Sequence, residues 1–96
     1  MKLGVVTVID LLKLRTFQVL AKTSNFTRAG AELGYSQSSV TSHIQALERE
    51  LGASLFDRSS RTVVLTEAGR RTLEYANRLL ALADEAKAAV HKSEAN

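Results

Sequence analysis

The chain has 96 residues, enough for one small domain. Lys plus Arg is 13 and Asp plus Glu is 10, giving a net charge of +3 and a pI near 9.6, a balance that permits a nucleic-acid partner without demanding one. There is no Cys, which excludes disulfides, thiolate metal sites and thiol catalysis, and no Pro, where an average composition of about 5% would supply roughly five, which favours a mostly helical chain.

Residues 1–9 stand apart from the rest of the chain. Val5, Val6, Val8 and Ile9 favour a strand but have no evident pairing partner, so the segment reads as an N-terminal arm or extension. Its apolar run, Leu3 to Ile9, is too short to span a bilayer and has no small-residue cleavage site; a soluble cytoplasmic protein with no membrane partner is expected. Asp10 can cap a helix from Leu11 to about Thr23, with Ile9 and Leu14 as a hydrophobic staple. Leu14, Phe17, Leu20 and Ala21 form its apolar stripe, and Ser24-Asn25 ends it. Thr27 is expected to cap a short second helix, Arg28 to Leu33, closed by Gly34 in the left-handed region. After a turn of about three residues Ser36 opens a third helix, whose apolar positions Val40, Ile44, Leu47 and Leu51 are spaced 4, 3 and 4 apart; Gly52 stops it.

The period then changes. Leu55-Phe56 and Val63-Val64-Leu65 are short β-favouring runs around Asp57 to Thr62, which predicts a hairpin without the Asn-Gly signature of a tight turn. Thr66-Glu67 caps and charges a long fourth helix reaching about Val90, roughly 35 Å at 1.5 Å per residue. It carries two apolar lanes: Leu73, Ala76, Leu80, Ala83 and Val90 on one, Tyr75, Leu79, Leu82, Ala86 and Ala89 on the other. Two lanes require two partners, the rest of the domain and a second chain. The polar stretch from Lys92 to Asn96 is expected to fray.

Two helices joined by a short Gly-containing turn match a helix-turn-helix, and the small residues Ala29 and Gly30 would let its helices approach closely. The outer face of the third helix then presents Gln37, Ser38, Thr41, Ser42 and Gln45, with Ser39 and His43 at its margins. All are polar hydrogen-bonders and none is acidic, whereas a solvated helix usually mixes Lys and Glu. Such a face suits a helix whose N-terminal half enters the major groove of DNA, where Gln can pair with adenine and Ser or Thr can serve donor or acceptor edges. A surface helix rich in Ser, with no partner, is the competing reading. Arg58 and Arg61 flank the hairpin tip; Arg58 is expected to pair with Asp57 or Glu67, and Arg61 to meet DNA. Arg70 and Arg71 either touch phosphate or pair with Glu67 and Glu74. Gly69 costs helix propensity in a first turn, so a close backbone approach to the second helix or to DNA is expected there.

Enzyme chemistry finds no footing. His43 and His91 lie on different helices without a metal-binding motif; no phosphate-binding loop or nucleophile elbow occurs; Glu48 and Glu50, at i and i+2, do not face each other. No catalytic residue, metal or cofactor is expected.

The run Leu14 to Phe17, then Ser24-Asn25-Phe26-Thr27-Arg28-Ala29-Gly30, Ser36-Gln37, Ile44 to Gly52, Leu55-Phe56-Asp57-Arg58 and Leu65-Thr66-Glu67-Ala68-Gly69 resembles the N-terminal domain of LysR-type transcriptional regulators, over about Asp10 to Ala86. Each piece is weak alone; in this order and spacing they are specific. The resemblance implies a mainly α fold, a winged helix-turn-helix of three helices and a two-stranded wing (10–65), followed by a long dimerising linker helix (66–91). It implies a homodimer on a pseudo-palindromic double-stranded promoter site, with a tetramer open to a longer protein. The DNA-binding residues it points to are Thr27, Arg28, Gln37, Ser38, Ser39, Thr41, Ser42, His43, Arg61 and Thr66, with Gln37 on bases, Thr41 on bases or phosphate, Thr27 on phosphate and Arg61 in the minor groove. The dimerising residues would be Leu73, Ala76, Leu79, Leu80, Ala83 and Val90. Three positions depart from the family pattern. Ser38 stands where Pro is frequent, Gly30 replaces the more usual Ala as a mild change, and Ser42 stands where Arg or Lys is frequent, which argues against a guanine contact there. Family members are about three times as long and carry a two-lobed effector-sensing region; a DNA-binding piece of such a regulator, or a truncated one, is therefore expected. The readings of another class are a winged-helix protein-interaction module and a stand-alone ligand-sensing winged-helix regulator with a pocket near Phe17 and Tyr75.

Overall fold

A computed structural model of the chain describes residues 9–59 and 62–95, and residues 1–8 of the expected arm lie outside it. The elements run α1 (Leu11–Thr23), α2 (Phe26–Leu33), α3 (Gln37–Leu51), β1 (Phe56–Asp57), β2 (Val64–Leu65) and α4 (Glu67–Ala95). Side-chain oxygens start the helices by accepting backbone N–H groups that have no partner inside the helix. Asp10 accepts from Leu12 N at 2.8 Å and Ser36 from Ser39 N at 3.1 Å. The Thr66 hydroxyl accepts from Gly69 N at 3.0 Å. For α2 the cap is Asn25, which accepts from Arg28 N at 2.8 Å, so the helix begins before Thr27. Starting there lays Phe26 half-buried against the core. Ser24, Gly34 and Gly52 close the first three helices in the left-handed region.

The core gathers Leu14, Phe17 and Leu20 of α1, Ala29 of α2, Val40, Ile44 and Leu47 of α3, Leu55 and Phe56, and Ala76 and Leu80 of α4. The rings of Phe17 and Phe56 meet at 5.5 Å, tilted by 59°, and fasten the start of the hairpin to α1. The hairpin is antiparallel, with Phe56 opposite Leu65 and Asp57 opposite Val64.

The fourth helix departs from expectation twice. It continues to Ala95, past the expected boundary at 91 and through the segment expected to fray, for a length of roughly 43 Å. No Gly or Pro follows Gly69, so nothing in the sequence interrupts it. Its lanes also divide differently. Ala76 and Leu80, expected at a partner interface, are fully buried in the chain's own core, and Leu73 packs against that core. Tyr75, Leu79, Leu82 and Val90 remain exposed. Gln18 Nε2 donates to Asn77 Oδ1 at 2.8 Å and Arg15 pairs with Asp84 at 3.7 Å, a polar strap between α1 and α4 beside the apolar contact. No helix among the described residues is long and apolar enough to cross a membrane.

Gly69 explains how the wing and α4 fit together. A Cβ there would overlap the carbonyl oxygen of Leu55 and crowd Leu65 Cδ2. The close approach expected at this residue is therefore to the strand entering the wing, not to the second helix or to DNA.

Candidate nucleic-acid interface

The turn between α2 and α3 is set by short-range chemistry. Gly34 takes φ +77°, where a side chain would be strained. The Tyr35 N–H then returns to Gly30 O at 2.9 Å. A Cβ on Gly30 would sit 2.6 Å from Tyr35 O, so the turn closes onto α2 more tightly than an Ala allows. The replacement of Ala by Gly at this position is therefore not the mild change expected from the sequence.

This turn projects the first half of α3 outward. Gln37, Ser38, Ser42 and Gln45 are exposed, and with the half-buried Thr41 they line one open concavity on the surface of α3. Val40 and Ile44, on the opposite side, are fully buried and fix the helix on the core. Five neutral side chains thus offer hydroxyls and amides over about two turns with no carboxylate among them. Such a face can donate to and accept from base edges, and it does not repel a polyanion.

The other residues expected at the interface divide. Thr27 and Arg28 are exposed on the first turn of α2, beside the start of α3. Thr27 Oγ1 donates to Gln37 Oε1 at 3.1 Å. Ser39 is half-buried and belongs to the cap, receiving a hydrogen bond from Ser36 Oγ at 3.0 Å. His43, expected at the margin of the reading face, instead turns inward. Its Nδ1 shares a hydrogen bond with the fully buried Thr16 hydroxyl at 2.9 Å, and its ring stands edge-on to Tyr35 at 5.1 Å. The reason lies in the helical period: three residues after Val40 and four before Leu47, position 43 borders the buried stripe. Thr66 is likewise structural. Its hydroxyl donates to Ser54 O at 2.6 Å while capping α4. Arg61 lies outside the described residues.

Three arginines, Arg58, Arg70 and Arg71, are held by carboxylates. Arg58 pairs with Glu48 at 3.3 Å, not with Asp57 or Glu67 as expected. Asp57 instead accepts from the Ser59 hydroxyl and backbone N–H, which hold its carboxyl below the usual aspartate range. Arg70 and Arg71 both reach Glu67, at 2.6 and 3.2 Å, and Glu74 takes no part. Hydrogen bonds from Arg70 and then Arg71 hold the Glu67 carboxyl below its ordinary value. Sequence reasoning gives no role to Glu48, whose single carboxylate receives Leu55 N, Arg58 and the Ser54 hydroxyl. Its partners lie six to ten residues away, beyond the reach of helical spacing.

Comparison with known proteins agrees with this architecture. A family model described as bacterial regulatory helix-turn-helix protein, lysR family, matches residues 11–70. The uncharacterized HTH-type transcriptional regulator YusT of Bacillus subtilis is 46% identical over 80 residues, 83% of this chain and 27% of its own length. The RuBisCO operon transcriptional regulator of Allochromatium vinosum is 45% identical over 67 residues, 70% of this chain and 22% of its own. The chain thus spans about a quarter of the length of these curated relatives. Among solved structures, the DNA-binding domain of BenM in complex with its catB site 1 DNA superposes with a TM-score of 0.83 at 33% identity, over 88% of this chain and 93% of that one. The corresponding CbnR domain bound to DNA gives 0.83 at 35% identity, over 88% and 98%. From the matched span and the shared winged helix-turn-helix with its long final helix, the chain belongs to the LysR family of bacterial regulatory helix-turn-helix proteins.

Proposed function

We propose that the chain binds double-stranded DNA in a sequence-specific manner as part of a transcription regulator, with the first half of α3 in the major groove and the wing at the minor groove. The observation that carries this reading is the neutral, acid-free face of Gln37, Ser38, Thr41, Ser42 and Gln45, held outward by a buried stripe on the same helix. The similarity to the BenM and CbnR domains, both in complex with DNA, supports it. Gln37 and Thr41 are the base-contacting residues of this reading, Ser38 and Ser42 complete the face, and Arg28 offers a phosphate contact. Arg61 is assigned to the minor groove on the family resemblance alone.

The same reading makes the protein a homodimer joined through α4, working in the bacterial cytoplasm. The exposed side chains of Tyr75, Leu79 and Leu82 support it, since they leave one apolar lane open on a helix whose other lane is covered at Leu73, Ala76 and Leu80. Two copies would present their α3 helices to successive major grooves about 34 Å apart, which calls for a pseudo-palindromic site.

Selection from a pool of random-sequence duplexes tests this directly. A two-fold-related consensus is the expected result, with Gln37→Ala altering base preference and Arg61→Ala weakening binding evenly and reducing its salt dependence. The reading fails if no duplex is bound in a salt-dependent manner, as a protein-interaction module requires, or if Gln37→Ala leaves affinity and preference intact.

A further inference from the structure

We propose that Thr27 is a positioning residue for Gln37, and that through it the first side chain of α3 is held ready to offer the bases a donor–acceptor pair. This rests on the assignment of α3 as the base-reading helix. The observation behind it is the hydrogen bond from Thr27 Oγ1 to Gln37 Oε1, 3.1 Å across two helices. Both residues are exposed, so neither needs the other to satisfy a buried polar group. The spacing between their helices is fixed by backbone: Gly30 meets the Tyr35 carbonyl so closely that no Cβ fits.

A glutamine free to turn can pair with adenine through two bonds, its N–H on N7 and its oxygen receiving the N6 amino group. Here one of the two lone pairs of Oε1 receives the Thr27 proton, which fixes the plane of the amide. What remains for the groove is the Nε2 donor beside one acceptor lone pair. Together they match N7 and the N6 amino group of adenine, whereas guanine and thymine meet only the donor and cytosine only the acceptor. Gln37 held in this way favours adenine more strongly than a glutamine free to turn.

The same bond separates two roles for Thr27. A hydroxyl has one proton to donate. Phosphate oxygens only accept, so while Thr27 donates to Gln37 it cannot donate to the DNA backbone. A phosphate contact would contribute evenly across sequences; a positioning role acts at one base pair of each half-site.

The test uses the 96-residue chain with Thr27→Val, Thr27→Ser, Gln37→Ala and the double variant Thr27→Val/Gln37→Ala. Duplexes selected from a random pool, and their single-pair variants, serve as probes. Thr27→Val is expected to weaken the preference for adenine by about tenfold, at the pair that Gln37→Ala also affects and nowhere else. Thr27→Ser should keep the original preference, and Thr27→Val should change nothing further in the Gln37→Ala background. Should Thr27→Val not fold, Thr27→Ala removes the same hydroxyl with a residue that favours helix and carries the same expectation. An even loss of affinity in both backgrounds, or no change at all, overturns the positioning role while leaving α3 as the reading helix. A Gln37→Ala variant indistinguishable from the original overturns both.

Discussion

Glu48 near the end of α3 accepts the backbone N–H of Leu55 at 2.8 Å, and so ties the third helix to the strand that enters the wing. The same carboxylate pairs with Arg58 beyond β1 at 3.3 Å, and its side chain is only 15% exposed. One residue thus orients the wing relative to the helix proposed to read DNA.

Glu48→Ala leaves the Leu55 N–H part-buried without an acceptor, which costs about 1–3 kcal/mol. Glu48→Gln keeps an oxygen for that N–H and should lose less. Arg58→Ala removes only the half-exposed ion pair, worth about 1 kcal/mol at most. Urea unfolding should rank the three in that order. Equal losses for Glu48→Ala and Arg58→Ala would mean that the ion pair, not the backbone contact, holds the wing.

Gly69→Ala would ordinarily improve a helix. Here the added methyl meets the Leu55 carbonyl oxygen, which belongs to backbone that also accepts Thr66 N at 3.0 Å and cannot easily retreat. The expected outcome is a net destabilisation of about 1–3 kcal/mol, read as a lowered Tm. A raised Tm would show that the strand moves aside at no cost.

Three carboxyls sit below their ordinary values: Asp10 through Lys13 and the Leu12 N–H, Asp57 through Ser59, and Glu67 through Arg70 and Arg71. As pH falls, the unfolded chain takes up these protons before the folded one. Each therefore contributes stability that is fully present above its unfolded value, 3.8 for Asp and 4.5 for Glu, and is lost as pH falls through the lower folded value. Glu67→Gln should lower Tm by a constant amount from pH 7 to about 5.5, and the gap to the original chain should close below about 4.5. A gap that stays constant down to about pH 2.5 would show that the shared pair with Arg70 and Arg71 adds nothing to stability.

The legible parts of the fold are those decided within three or four residues. Asp10, Ser36, Gly34 and Gly52 announce helix ends because the cap and the N–H or carbonyl it serves are close in sequence. Asn25 and Thr27 are both competent caps two positions apart, and local chemistry cannot choose between them; the half-buried Phe26 decides, and that is a tertiary contact. His43 escapes sequence reasoning for a related reason: its partner Thr16 is 27 residues away, although its distance from Val40 and Leu47 already puts it at the edge of the buried stripe. The double apolar character of α4 is plain, but its period does not say which lane lies on the protein's own core. The continuation of α4 to Ala95 is readable from the lack of any breaker after Gly69, whereas the polar composition of its last turn wrongly suggests an end.

The division of α4 can be tested with two leucines two positions apart. Leu80 is 4% exposed and belongs to the core; Leu82 is 61% exposed and faces away from it. Leu80→Ala should cost about 2–5 kcal/mol at every protein concentration, because the cavity it leaves lies inside one chain. Leu82→Glu should leave the unfolding of the isolated chain within about 0.5 kcal/mol, yet place a charge on the lane proposed to meet a second copy. Sedimentation at tens of micromolar should then show the original chain as a dimer and Leu82→Glu shifted toward monomer. If Leu82→Glu sediments as the original does, the second copy docks elsewhere, and the exposed lane of Tyr75, Leu79 and Leu82 needs another explanation.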